Sequence, residues 1–352
     1  MFERTQHRVC RYATALLRFS VTQRLLCAGL VGTLALGGML ILAQGLLGQA
    51  AAADGGTAEA SREAFVTAQV ADKVAVVDLA TFKSVAEIEV SGKPAGIAMS
   101  PDGRWVYITT PEAKELVVID ADKRAVTRRV KLGDGPLGIA VHPVDGRIIV
   151  ADWYDHQLTV VDPATFDVVG TVETGESPSG VAVTPDGGYI VSADRDSDEV
   201  SIIDAQTLKR VAAVKVGQRP FGITIDASGE RAYTANVKSN DLSVVDLTSR
   251  KVIGTVPVGQ RPYDVALAKG RAFVTDQYGG TVSVVDLQSF KVIKTIAVGE
   301  YPEGIATDRD GRHVYVACWE ANTLERIDAV TLEVTKTVEV NDGPRAFGLF
   351  LR

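Results

Sequence analysis

One mark returns through most of this chain at a nearly constant interval. The proline of a "GxxP"-like step stands at Pro94, Pro136, Pro178, Pro220, Pro262, Pro302 and Pro344, spaced by 42, 42, 42, 42, 40 and 42 residues. A second mark, an aspartate ending a β-branched run, falls at Asp78, Asp120, Asp162, Asp204, Asp246, Asp286 and Asp328 with the same spacings. Such a period marks small units that cannot bury their faces alone and must stack on one another. Each unit has room for about four short strands. In the fourth copy these are Phe221–Asp226, Arg231–Ala235, Asp241–Val245 and Lys251–Val258, separated by "ASG", "NVKSN" and "DLTSR". No stretch of the repeats keeps helical periodicity over ten residues.

The pattern predicts an all-β fold, a seven-bladed β-propeller of four-stranded antiparallel blades. Glu63–Thr67 already reads as a second strand, and Arg345–Leu351 reads as an opening strand with nothing after it. The C-terminal strand is therefore expected to complete the blade begun by residues 63–92, closing the ring and covering an open edge. Two residues after the proline stand Gly96, Gly138, Gly180, Gly222 and Gly304, as close approach of inner strands near the axis requires. Asp264 and Ala346 interrupt that column.

The first 53 residues are a different material. Arg4, Arg8, Arg11, Arg18 and Arg24 precede the uncharged run Leu25–Ala43, and small residues follow. This reads as a secretory signal peptide or, since nineteen apolar residues approach a bilayer span, as a retained N-terminal membrane anchor at residues 25–43. Residues 54–62 read as a short linker and 63–352 as the propeller. Either leader implies a periplasmic or extracellular location. The chain is formally −7, and removal of the basic leader leaves −11. A nucleic-acid backbone is a poor partner for such a domain, whereas a basic protein suits it. Only Cys318 lies in the propeller, so no internal disulfide forms there, and no CxxCH is present for covalent haem.

Repeats identify scaffold positions, so function is sought in the exceptions. The proline-step loops and the loops after the second strand should share one end, around the mouth of the axial channel. Candidate ligand-binding residues there are Trp153, His156, Arg195, Arg219, Arg261, Tyr263, Asp264, Tyr278, Tyr301, Glu303, Trp319 and Arg345, an aromatic and cationic set suited to binding. Asp264 and Glu303 fall on adjacent opening strands. They could share a proton as an acid/base pair, anchor a ligand, or be neutralised by Arg261 and Arg345. His156, beside Asp155 and Asp152, could act as a base or metal ligand, but no second histidine joins it. Asp194, Asp196 and Asp198 alternate as calcium ligands do, without the glycine and closing glutamate of an EF-hand loop. Cys318 reads as a small buried hydrophobe. No metal, cofactor or catalytic residue is assigned. Serine elbow, phosphate loop and dinucleotide fingerprint are all absent.

At "RAYTANVKSNDLSVVDLTSRKVIGTVPVGQRPYDVAL", and again at "HVYVACWEANTLERIDAVTLEVTKTVEV", the chain resembles the YVTN family of β-propeller repeat proteins. The resemblance spans residues 63–352. It implies a surface-layer or periplasmic propeller, and related propellers include docking subunits of periplasmic quinoprotein dehydrogenases and sugar-lactone hydrolases. It carries over no catalytic residue. The expectation is an extracytoplasmic binding or scaffold propeller presenting its mouth to an envelope protein or small polar ligand. The alternative is a periplasmic enzyme, either a lactone hydrolase or a subunit of a quinoprotein-type oxidoreductase. That enzyme needs Asp264, Glu303, His156 and an arginine within hydrogen-bond reach of one another.

Overall fold

A computed structural model describes residues 62–352. The chain divides into two units between Asp54 and Gly55, and the described residues belong to the second. The expected signal or anchor, with its apolar run at 25–43, and the linker up to residue 61 lie outside the described residues. Among the described residues no helix is long and apolar enough to cross a membrane.

The second unit is a seven-bladed propeller of antiparallel sheets, with a single turn of 3-10 helix at Arg195–Ser197. In the blade that opens at Pro220 the strands are Pro220–Ile225, Arg231–Asn236, Asp241–Asp246 and Lys251–Pro257, each boundary within one residue of the sequence reading. The second and third strands are buried on both faces because a neighbouring blade packs against each. The apolar core therefore lies between blades: Tyr233, Leu242 and Val244 of this blade meet Val265, Val274 and Val285 of the next. Each such aliphatic burial contributes about 1.5–3 kcal/mol. The outer strand mostly faces water and buries only Val256 fully.

The recurring aspartate is a turn device. Asp246 accepts the Ser249 N–H at 2.6 Å, and Asp78, Asp162, Asp204 and Asp286 repeat the bond in their own blades. These bonds favour the ionised carboxylate and hold all of these groups below the ordinary range.

The glycine column is where blades touch at the axis. The ladder between the first two strands breaks just after the proline, for example between Pro220 and Ile223. This bulge turns the proline step toward the next blade. A Cβ on Gly138 would stand 1.8 Å from the Ser179 carbonyl, and one on Gly304 2.1 Å from that of Ala346. Closure follows the same plan. The C-terminal strand bridges Ala64 to Leu351 and Ala68 to Pro344, antiparallel, completing the first blade. Its bulge segment, Phe347–Gly348, also pairs in parallel with Gly96–Ile97 of the following blade. One strand thus ties two blades.

Candidate functional site

The two loop sets expected at the mouth are hydrogen-bonded to each other. The N–H groups of Trp153, Val237 and Trp319 donate to the carbonyls of Gly135, Arg219 and Tyr301 at 2.8, 2.9 and 2.8 Å. The residue before the proline adopts positive φ in most blades although it carries a side chain: Lys93, Ser177, Arg219, Arg261 and Tyr301 lie between 53° and 62°. This conformation costs about 1–2 kcal/mol. One bond helps to offset it. Asp72, Asp198 and Asn240 accept the N–H groups of Lys93, Arg219 and Arg261, each at 2.8 Å.

His156 belongs to that same column. Its ring Nδ1 accepts the Ser177 N–H at 3.1 Å, and it shares the positive φ of Asp72, Asp198, Asn240 and Asn322. It is exposed in its own turn. The signal for this was present in the sequence, because positions 72, 114, 156, 198, 240, 280 and 322 keep the repeat spacing and favour Asp, Asn and Gly.

At the centre of the mouth is a cup of about 500 Å³ whose walls include Trp153, Tyr154, Trp319, Leu137 and Phe221, with Arg345, Lys93, Gln69 and Glu112 as its polar members. Below it an aromatic plug closes the axis. Phe221, Tyr263 and Phe347 pack with ring centres 4.5, 5.0 and 5.8 Å apart, and Trp153 joins Phe221 at 6.2 Å. Arg345 lies over Tyr263 and Trp319, at 5.7 and 6.0 Å from the rings. It donates to the Tyr263 hydroxyl and, at 3.1 Å, to Gln69 Oε1.

The carboxylates are buried but separated in function. Glu303 accepts from Gln277 Nε2 at 2.5 Å, and its Oε2 faces Arg345 Nε at 3.5 Å without a hydrogen bond. Burial raises its pKa above the ordinary carboxylate range, and Arg345 and Gln277 pull it only part of the way back. Asp264 instead accepts the N–H groups of Val265, at 2.8 Å, and of Ile305. Burial raises its pKa to about 8. It sits sealed in the bulge, against Gly222. Of the four groups an acid/base hydrolysis would require, only Glu303 and an arginine, Arg345, stand together; Asp264 and His156 are bonded to backbone N–H groups instead.

The remaining candidates form the rim. Arg195 lies 5.3 Å over Trp153 and pairs with Asp196 at 2.7 Å. Arg261 lies 4.9 Å over Tyr278, which meets Tyr301 edge-on at 5.7 Å. Arg219 borders the same cleft as Arg261 and Tyr278. The three alternating aspartates diverge: Asp194 turns inward to Ser192, Ser201 and Gly175, Asp196 faces Arg195, and Asp198 caps Arg219. Among the described residues no group of three or more His, Cys, Asp or Glu is placed to hold a metal ion. Cys318 is fully buried, its thiol pushed up to about 12 by burial. Phe347, a member of the plug, is the aromatic that the sequence reading did not include among the mouth residues. Its column reads Ile97, Ile139, Val181, Ile223, Val265, Ile305 and then Phe347, an aromatic exception visible in the sequence.

Two family models match the chain: a YNCE-like beta-propeller over residues 46–147, and a lactonase described as a 7-bladed beta-propeller over residues 140–252. Each covers less than a third of the chain, so together they support a propeller and no narrower membership. No curated protein matches. Among solved structures, the chain is similar to Kuenenia stuttgartiensis hydrazine synthase, with TM-score 0.66, 19% identity and coverage of 74% of this chain and 90% of that one. It is similar to a functionally unknown protein from Desulfotomaculum acetoxidans DSM 771, with TM-score 0.69, 16% identity and coverage of 80% and 98%. It is also similar to the dihydro-heme d1 dehydrogenase NirN in complex with DHE, with TM-score 0.59, 17% identity and coverage of 80% and 74%. At these identities the likeness is one of fold alone.

Proposed function

We propose that this propeller is an extracytoplasmic binding module of YVTN-like repeats, and that its mouth cup takes a flat, largely apolar ligand bearing a negative charge. The observation that carries this reading is the cup itself: about 500 Å³ walled by Trp153, Trp319 and Phe221, with the Arg345 guanidinium among its few polar groups. Pockets of this size and character are typical of small-molecule sites. Arg345 has five N–H groups, of which Gln69 and Tyr263 take two. Nε is buried against Glu303, which leaves one N–H on each Nη for an anion, and the indole walls can stack on a flat ring.

Lactone hydrolysis is the second reading, favoured by the lactonase family match over residues 140–252. Against it stand the turn role of His156 and the enclosure of Asp264 in backbone bonds.

The test uses 1-naphthoate as probe and indole fluorescence as signal, because two of the three tryptophans line the cup. Saturable quenching is expected, weakened at least tenfold by Trp319→Ala and by Trp153→Ala. Equal binding of neutral naphthalenemethanol would remove the anionic element. Absence of quenching, together with turnover of a γ-lactone in a pH-stat, would favour the hydrolase.

A further inference from the structure

We propose that the cleft between the blades opening at Pro220 and Pro262 is a second and separate binding site, for a doubly charged tetrahedral oxyanion, either free phosphate or a phosphate monoester. It stands independently of the reading of the cup. The cleft holds about 310 Å³ and is lined by three cations, Arg219, Lys238 and Arg261, two amides, Asn240 and Gln260, and the ring of Tyr278. No carboxylate lines it. In a domain of net charge −11 this is a local inversion of sign, which concentrates anions at that place.

Arg261 is set in advance for the task. Its guanidinium lies 4.9 Å over Tyr278, and its Nε donates to Gln277 Oε1. Its two Nη groups make no hydrogen bond or ion pair among the described residues. A guanidinium fixed on one side by a ring and an amide presents a planar fork at small entropic cost. Lys238 likewise has no ion pair, and Arg219 has a single distant one, with Asp196 at 3.8 Å. Asn240 spends its carbonyl oxygen on the Arg261 N–H, so its amide Nδ2 remains as a donor. A carboxylate would engage one fork and leave two cations facing each other. A dianion with three or more acceptor oxygens engages the fork, the amide and a second cation together.

The experiment is calorimetric titration of the full chain at low ionic strength with inorganic phosphate and, separately, phenyl phosphate. Arg261→Gly keeps the backbone at ease at positive φ and is expected to weaken binding at least tenfold. Gln277→Ala keeps the charge but frees the fork, and should weaken it about threefold. Lys251→Gln, on an exposed outer strand, removes one charge elsewhere and should change nothing. The tighter probe identifies the source of the oxyanion. The proposal is overturned if wild type binds neither probe, if Lys251→Gln weakens binding as much as Arg261→Gly, or if Trp319→Ala abolishes it, which would move the anion to the cup.

Discussion

Replacing Asp264 by glycine should make this protein more stable, and increasingly so as the pH rises. Asp264 occupies the position at which five other copies carry glycine. Its carboxyl is 5% exposed, and burial raises its pKa from the ordinary 3.8 to about 8. Below about pH 4 the group is protonated in both folded and unfolded chains and costs nothing. Between pH 4 and 8 the unfolded chain releases the proton while the folded chain keeps it, so the unfolded state binds fewer protons and stability falls with pH. Above pH 8 the penalty is constant. Four units at about 1.4 kcal/mol each set its ceiling at about 5–6 kcal/mol. Glycine itself costs about 0.5–1 kcal/mol, independent of pH. The measurement is denaturant unfolding of wild type and Asp264→Gly at unit steps from pH 5 to 9. The variant is expected to gain little at pH 5 and several kcal/mol at pH 8, with no further gain at pH 9. A difference that stays flat across the series would refute the reasoning. It would mean that the Val265 and Ile305 N–H groups already hold the carboxylate ionised.

Phe350→Ala should cost about 3–5 kcal/mol in the same unfolding assay, because Phe350 is fully buried in the cluster that seals the ring and its carbonyl accepts the Phe65 N–H at 2.9 Å. A loss under about 1 kcal/mol would show that the closing strand contributes little. His156→Asn should leave stability and any ligand binding unchanged, since asparagine accepts the same N–H and tolerates positive φ. His156→Ala should cost about 1 kcal/mol. A loss of binding or turnover in the asparagine variant at unchanged stability would return His156 to a chemical role.

The architecture was legible because every blade repeats the same physical problem. The aspartate at the third-strand end, the glycine near the axis and the surplus terminal strand each have one geometric use, and each was found in it. The boundaries in the Pro220 blade came within a residue for the same reason: its turns are made by short motifs that act locally. The mouth was less legible. Its position follows from the repeat, but which side chains meet there depends on contacts across the axis, between residues such as Tyr263 and Arg345, 82 positions apart. Sequence spacing placed Asp264 and Glu303 on neighbouring strands. It could not show that Asp264 turns into the bulge while Glu303 turns toward Gln277 and Arg345.

An odd residue in a repeat column is informative only once the job of that column is known. At position 156 the column needs an acceptor and a left-handed backbone, and histidine supplies both, so its oddness is cosmetic. The column after the proline reads Ala95, Leu137, Ser179, Phe221, Tyr263, Glu303 and Arg345, and only Ser179 spends its side chain on backbone, donating to the carbonyls of Ala193 and Phe221. Elsewhere in the column the side chains vary, from small groups on one side of the ring to aromatic and charged groups on the other. Leu137, Phe221 and Arg345 line the cup, whereas the small members Ala95 and Ser179 do not reach it. A seven-fold ring thereby acquires a lopsided mouth, with an apolar wall and a guanidinium. The side chains that depart from a column without doing its backbone work are the ones to mutate first for function. Arg345 and Phe347 meet that condition, and His156 does not.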